Sequence, residues 1–173
     1  MKSAYVIGAP GTGKSTMMRS WLGEGLPIVG LGFACTQHHG GVLQLGASHP
    51  TFPGTDRLSM GVMPKALDLV ASSPAPFVIG EGDRLASLKF LQALSDASSS
   101  FTLIYAQCPP DVAEERREAR GGRQSKSWIK GRDTKSRRLA LAWAVEGGKT
   151  IVINTHNGTP EMTDVLPGWP SER

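Results

Sequence analysis

Cysteine is scarce in this chain: 173 residues hold two, Cys35 and Cys108. Two thiols with no secretory leader argue against a disulfide framework and point to a reducing compartment. A signal-peptide layout is missing, because the first apolar residues run straight into a glycine-rich segment. Neither the cysteines nor the four histidines show the paired spacing of a zinc site. His38-His39 reads with Gly40-Gly41 as a turn, and Cys108, closing an apolar run, as a small buried hydrophobe. No apolar run approaches the roughly 20 residues that cross a bilayer, so a membrane span is not expected. Repeats and linkers are lacking too, so residues 1–173 read as one domain, long enough to bury a core. A hydrophobic content of 39% with 20% charged residues suits a folded chain rather than a disordered one.

What the chain has is concentrated in two places. The first is Gly8-Ala9-Pro10-Gly11-Thr12-Gly13-Lys14-Ser15, a G-x-x-x-x-G-K-S pattern preceded by the apolar run Ala4–Ile7 and followed by helical residues from Thr16 to Leu22. Glycines at 8, 11 and 13 keep side chains clear, so successive backbone N–H groups can turn inward on phosphate oxygens. Lys14 reaches the outer phosphates, the Ser15 hydroxyl suits Mg2+, and Thr16 opens a helix whose N-terminus adds partial positive charge. Strand, glycine loop and helix in this order are the context the motif requires. The pattern predicts a nucleotide-binding phosphate loop.

The second concentration is charge. The chain carries +4 overall, but ten Lys/Arg against two acids between Arg116 and Arg138 leave that segment at +8 and the remainder at −4. Such local basic character points to the handling of phosphate.

Between these landmarks the pattern alternates. Leu26–Val29 reads as extended. Phe33–Gln37 and Val42–Leu45 form a hairpin, His49–Ser59 a Pro- and Gly-shaped loop, and Met60–Ala71 a helix with Pro64 in its first turn. Phe77–Gly80 is a short strand ending at Glu81-Gly82-Asp83-Arg84, and Leu85–Leu94 a helix. Phe101–Cys108 is the next strand, and Pro109-Pro110-Asp111 opens a helix, Asp111 and Glu114 resembling a capping box. A second helix covers about residues 128–145, Thr150–Asn154 is a last strand, and the tail carries little pattern. Strands alternating with helices predict an α/β fold of three α/β/α layers around a mostly parallel sheet. Ligands in such sheets bind at the C-terminal strand ends, where the phosphate loop, Glu81–Arg84 and Asn154–Asn157 converge.

Phosphoryl transfer needs the γ-phosphate and its metal held, the acceptor aimed, and spreading charge neutralised. Lys14 and Ser15 serve the first two. Glu81 or Asp83 can serve the metal or take the acceptor proton, with Ser15 and Asp83 the expected metal-side pair, and Arg84 can bind phosphate or pin those acids. A plain pairing of charges at a helix N-terminus would account for the same residues. Arg116 and Arg120, four apart, share a helix face and can meet on one phosphate, though Glu114, Glu115 and Glu118 are also placed to pair with them. Trp128, inside the basic run, can stack on a base or anchor its helix to the core.

Phosphate loop, Glu-x-Asp-Arg after a core strand and an arginine-rich helical lid at about residues 111–146 resemble the small P-loop nucleoside and nucleotide kinases of the adenylate and thymidylate kinase type. Two further stretches, Phe52–Ser59 and Gln124–Lys135, look like those of small phage-encoded P-loop kinases, a group similar to the kinases that phosphorylate 5-hydroxymethyluracil in phage DNA. The resemblance implies an ATP- and Mg2+-dependent phosphotransferase with a DNA or nucleotide acceptor. It places Thr55, Asp56, Arg57, Trp128, Lys130 and Arg132 on the acceptor side, and the protein in the cytoplasm of a bacterial host. The hairpin and the Thr55-Asp56-Arg57 loop stand where nucleotide kinases carry acceptor-binding helices, so a free deoxynucleoside monophosphate or nucleoside stays open as acceptor. A nucleotide-binding module acting through a partner stays open too. A GTPase would carry Asn-Lys-x-Asp, which this chain lacks.

Overall fold

A computed structural model describes residues 1–47, 54–122 and 124–170; His49–Pro53 of the shaped loop, and Arg123, lie outside the described residues. Its strands are β1 (Lys2–Ile7), β2 (Leu26–Ile28), β3 (Cys35–Gln37), β4 (Val42–Leu45), β5 (Phe77–Glu81), β6 (Ser100–Gln107) and β7 (Thr150–Asn154). The helices are α1 (Lys14–Leu22), α2 (Met63–Ser72), α3 (Leu88–Asp96), α4 (Pro110–Glu118), α5 (Lys126–Val145) and the short α6 (Met162–Val165). One seven-stranded sheet runs in the order β2-β3-β4-β5-β1-β6-β7. From β4 to β7 all pairings are parallel, while β2 and β3 are antiparallel additions at one edge.

The sheet is covered on both faces, and the period-two alternation of its strands divides the core. Tyr5, Ile7, Leu43, Leu45, Val78 and Leu103 face a layer made by α2, α3 and the C-terminal half of α5. Ala4, Val6, Val42, Ile79, Ile104 and Ala106 face the other layer, made by α1 and the chain from Met162 to Trp169. The three-layer α/β expectation is therefore met. The tail is more than a trailing end: Trp169 packs on Phe77 with ring centroids 5.1 Å apart, and Trp21 Nε1 donates to the Pro160 carbonyl at 2.7 Å. Its pattern was too short for periodicity to reveal.

Helix ends follow local chemistry. Ser87 caps α3 by accepting the Phe90 N–H, and Ser125 caps α5 by accepting the Trp128 N–H. At α4 the expected capping box is absent. Pro109 stands at the cap and Pro110 in the first turn, and Asp111 Oδ1 accepts from the adjacent Val112 N–H instead. Fixed proline geometry starts this helix without a side-chain cap.

The first of the two layers is keyed by Phe90, fully buried on α3 and set edge-on to Tyr5 at 5.7 Å. Phe90→Ala is expected to cost about 3–5 kcal/mol. It should appear as a lower denaturant midpoint at unchanged slope.

Register is what positions the site. Val6 lies opposite Glu81 and Ile7 opposite Tyr105, so the chain leaves β1 into the phosphate loop beside the ends of β5 and β6.

Candidate active site

At the C-terminal ends of β1 and β5 opens a cavity of about 770 Å³. Gly8, Pro10, Gly11, Lys14 and Ser15 line one end of it. Close packing explains the glycines: at Gly11, whose φ is +93°, a Cβ would fall 2.4 Å from the Ala113 carbonyl oxygen of α4. Thr12 is buried and stiffens the loop, its hydroxyl donating to the Ala9 carbonyl at 2.8 Å. Gly13 is the N-cap residue of α1 and offers no side-chain cap, which leaves the first N–H groups of that helix free for an anion. Thr16 is exposed on the first turn and does not line the cavity.

Lys14 folds back over the loop, donating to the carbonyls of Gly8 at 2.8 Å and Ala9 at 3.0 Å. Burial pushes its ammonium below the ordinary lysine range, and the negative charges of Glu81 and Asp56 pull it back up. Beneath it, the Ser15 hydroxyl donates to Glu81 Oε2 at 3.1 Å. Glu81 ends β5 at 2% exposure, and burial pushes its carboxyl up to about 7 against the opposing pull of Lys14 and of the Ser15 bond. Its other oxygen, Oε1, is buried with no hydrogen-bond partner among the described residues. A buried carboxylate oxygen left unpaired beside a hydroxyl is a donor set that suits a hard cation such as Mg2+. The phosphate-loop amides and Lys14 suit the phosphates of ATP.

Asp83 was expected beside Ser15; the residue the structure brings to the Ser15 hydroxyl is Glu81. Arg132 and Lys135 of α5 both pair with the Asp83 carboxylate, Lys135 at 2.8 Å, and Lys135 also donates to the Asp83 carbonyl at 3.1 Å. Arg84 lines the cavity with its guanidinium against the Met60 sulfur, and its Nε is buried without a partner among the described residues. Of the acceptor-side residues, Asp56 lines the cavity, and its Oδ1 accepts the Asp83 N–H at 2.6 Å. Thr55 is fully buried instead, its hydroxyl donating to the Glu81 carbonyl at 2.8 Å and meeting the Tyr5 hydroxyl at 3.0 Å, and Arg57 is exposed outside the cavity lining.

The basic segment divides in the same manner. Arg120 lines the cavity, but Arg116 turns behind the loop and donates to the Thr155 hydroxyl and carbonyl at 3.2 and 3.0 Å. The shared face therefore does not bring Arg116 and Arg120 to one point. Arg117 takes that place, lining the cavity and donating to the Pro10 carbonyl at 2.9 Å. Sequence spacing missed it because the loop lies on the flank of α4 rather than along its i, i+4 row. Thr155 donates to the Thr12 carbonyl at 2.8 Å, so the loop after β7 braces the phosphate loop. Trp128 is 42% exposed on the cavity wall with the Arg132 guanidinium 5.1 Å from its ring centre, and Trp143 is the core anchor of α5. Lys130 does not line the cavity; it borders a second, shallow depression on α5 with Ser127, Thr134, Lys135 and Arg138. Cys108, expected in the core, is only half-buried, with its sulfur 3.9 Å from the Gly11 carbonyl.

A parallel sheet carrying a glycine loop, a lysine and a buried carboxylate at one strand end defines a P-loop nucleotide-binding protein of the α/β class. The model of the P-loop Nucleotide Kinase3 family matches residues 33–167, and the chain belongs to that family. The match begins after the phosphate loop, so motif and family rest on different residues. No curated protein matches the chain.

Proposed function

We propose that this protein is an ATP- and Mg2+-dependent phosphotransferase. The observation that carries the reading is the Ser15–Glu81 contact under the phosphate loop, with one Glu81 oxygen buried and unpaired. In this scheme Mg2+, when bound, neutralises phosphate charge as a Lewis acid. The chain's own groups do the rest. The loop amides and Lys14 hold the phosphates, Ser15 and Glu81 offer oxygens on the metal side, and Arg117 and Arg120 neutralise charge from the lid. Asp83 clasps α5 through Arg132 and Lys135, which keeps Trp128 at the cavity wall.

The acceptor we favour is a hydroxyl carried by a DNA base, with 5-hydroxymethyluracil in DNA as the leading case. Support comes from the bases of α5 that the cavity does not use. Lys130 and Arg138 share the second depression. A free nucleotide has no need of cations there, whereas a phosphodiester backbone does. Labelled ATP offered with deoxynucleoside monophosphates, nucleosides, plain DNA and hydroxymethylated DNA tests both levels. Transfer to any of them supports the enzyme, and nucleotide binding with no transfer supports a module that works through a partner. Neutralising Lys130 and Arg138 together should weaken DNA binding and reduce the log–log salt slope by roughly 0.7–0.9 for each phosphate no longer neutralised. ATP affinity should be unmoved. An unaltered slope would remove the DNA acceptor and leave a small-molecule kinase.

A further inference from the structure

Three carboxylates gather here, Asp56 and Asp83 lining the cavity and Glu81 buried beside it, each in a different situation. Glu81 is turned to the Ser15 hydroxyl, and Asp83 is neutralised by Arg132 and Lys135. Asp56 is the third. It lines the cavity, and among the described residues no ion pair engages it. It is exposed, yet it is held in place. Its Oδ1 accepts the Asp83 N–H at 2.6 Å, and its turn is tied to β5 by the Thr55 hydroxyl on the Glu81 carbonyl. Room for this close approach comes from Gly82, where φ is +109° and a Cβ would lie 2.6 Å from that same Asp56 oxygen. One oxygen is therefore anchored, and the other has no hydrogen-bond partner among the described residues.

We propose that Asp56 takes the proton of an acceptor hydroxyl, and that the acceptor held at the Asp56–Met60–Arg84 end of the cavity is an alcohol rather than a phosphate. The proposal rests on the phosphotransferase reading above. The acceptor O–H bond breaks and its proton passes to the Asp56 carboxylate. The freed oxygen forms a bond to the γ-phosphorus of ATP, and the bond from that phosphorus to the β,γ-bridging oxygen breaks, its electron pair leaving with ADP. An alcohol needs such a base, because its proton must go somewhere as the new bond forms. A phosphate acceptor, whose second proton is lost near pH 6, arrives as an oxyanion and needs none.

The test uses wild type, Asp56→Asn and Asp56→Glu with labelled ATP. The probes are thymidine, thymidine monophosphate, plain duplex DNA and a duplex carrying 5-hydroxymethyluracil. Product chemistry is read directly, as phosphate esterified to a hydroxyl or as a new diphosphate. Hydroxyl transfer is expected, and Asp56→Asn should lower kcat by about 10²–10⁴-fold. Asparagine keeps the oxygen that holds the Asp83 N–H, so calorimetric affinities for ATP and for the acceptor should be unchanged. Asp56→Glu should recover part of the rate. Transfer only to the monophosphate's phosphate would overturn the proposal and leave the kinase standing, as would wild-type kcat in Asp56→Asn. ATP binding without transfer to any probe would remove the phosphotransferase reading and this proposal with it.

Discussion

Lys14→Ala is expected to lower phosphoryl transfer by about 10²–10³-fold. Two consequences of one geometry combine. The ammonium, now held by the Gly8 and Ala9 carbonyls, is a cation seated on the loop whose amides collect phosphate oxygens. Removing it takes away a charge poised for the transition state rather than for the resting nucleotide, so kcat should suffer more than ATP affinity. Lys14 also holds the Glu81 carboxyl down; without it Glu81, already pushed up to about 7, rises further and spends more of its time protonated at neutral pH. A protonated Glu81 is a poor partner for a cation. The residual activity of the variant should therefore rise only at higher pH than in wild type. The fold should persist, because α1 is held by Met17, Met18, Trp21 and Leu22, all on its buried face. Labelled-ATP turnover and thermal unfolding measured on one preparation separate the two effects, and undiminished turnover would sink the assignment of this loop to catalysis.

The phosphate loop was legible because its chemistry is local: glycines, lysine and serine at fixed offsets, with a strand before and a helix after. The sheet was legible for a related reason, since strands buried on both faces read as continuous apolar runs. The roles of the acids were not. Glu81 and Asp83 are two residues apart and chemically alike, yet one points under the loop at Ser15 and the other meets α5, about fifty residues further along the chain. No local pattern carries that choice, because Arg132 and Lys135 reach Asp83 only after α5 has packed through Leu139, Ala140 and Trp143. Arg116 and Arg117 show the same limit. Helical periodicity told which arginines share a face, but not which flank of α4 the phosphate loop would adjoin. Thr55 belongs here too, its hydroxyl going to the backbone of β5 while its neighbour Asp56 is left at the cavity.

Glu81→Gln is expected to make the protein more stable and less active, and the pH dependence of the first effect identifies its cause. A carboxyl whose ordinary value is 4.5 is pushed up to about 7 chiefly because burial strips its water. Between those values the unfolded chain has released this proton and the folded chain still holds it. Folding stability therefore falls as pH climbs through the window, and above it the contribution of Glu81 is fully unfavourable. A shift of this size corresponds to about 3 kcal/mol. Glutamine keeps the shape, and its amide oxygen can still accept from Ser15, but it has no proton to lose. The variant should match wild type near pH 4.5 and exceed it in melting temperature at pH 8, and that part of the slope between should vanish. Phosphoryl transfer should move the other way, by about 10–100-fold, since a neutral amide binds a hard cation, or the water around one, less well than a carboxylate. Stability withheld at a polar residue of a site is a common trade between folding and activity. Thermal unfolding of both proteins at pH 5 and pH 8 decides it: equal slopes would mean that Glu81 is not held neutral by the fold, and burial would then not be what sets its protonation.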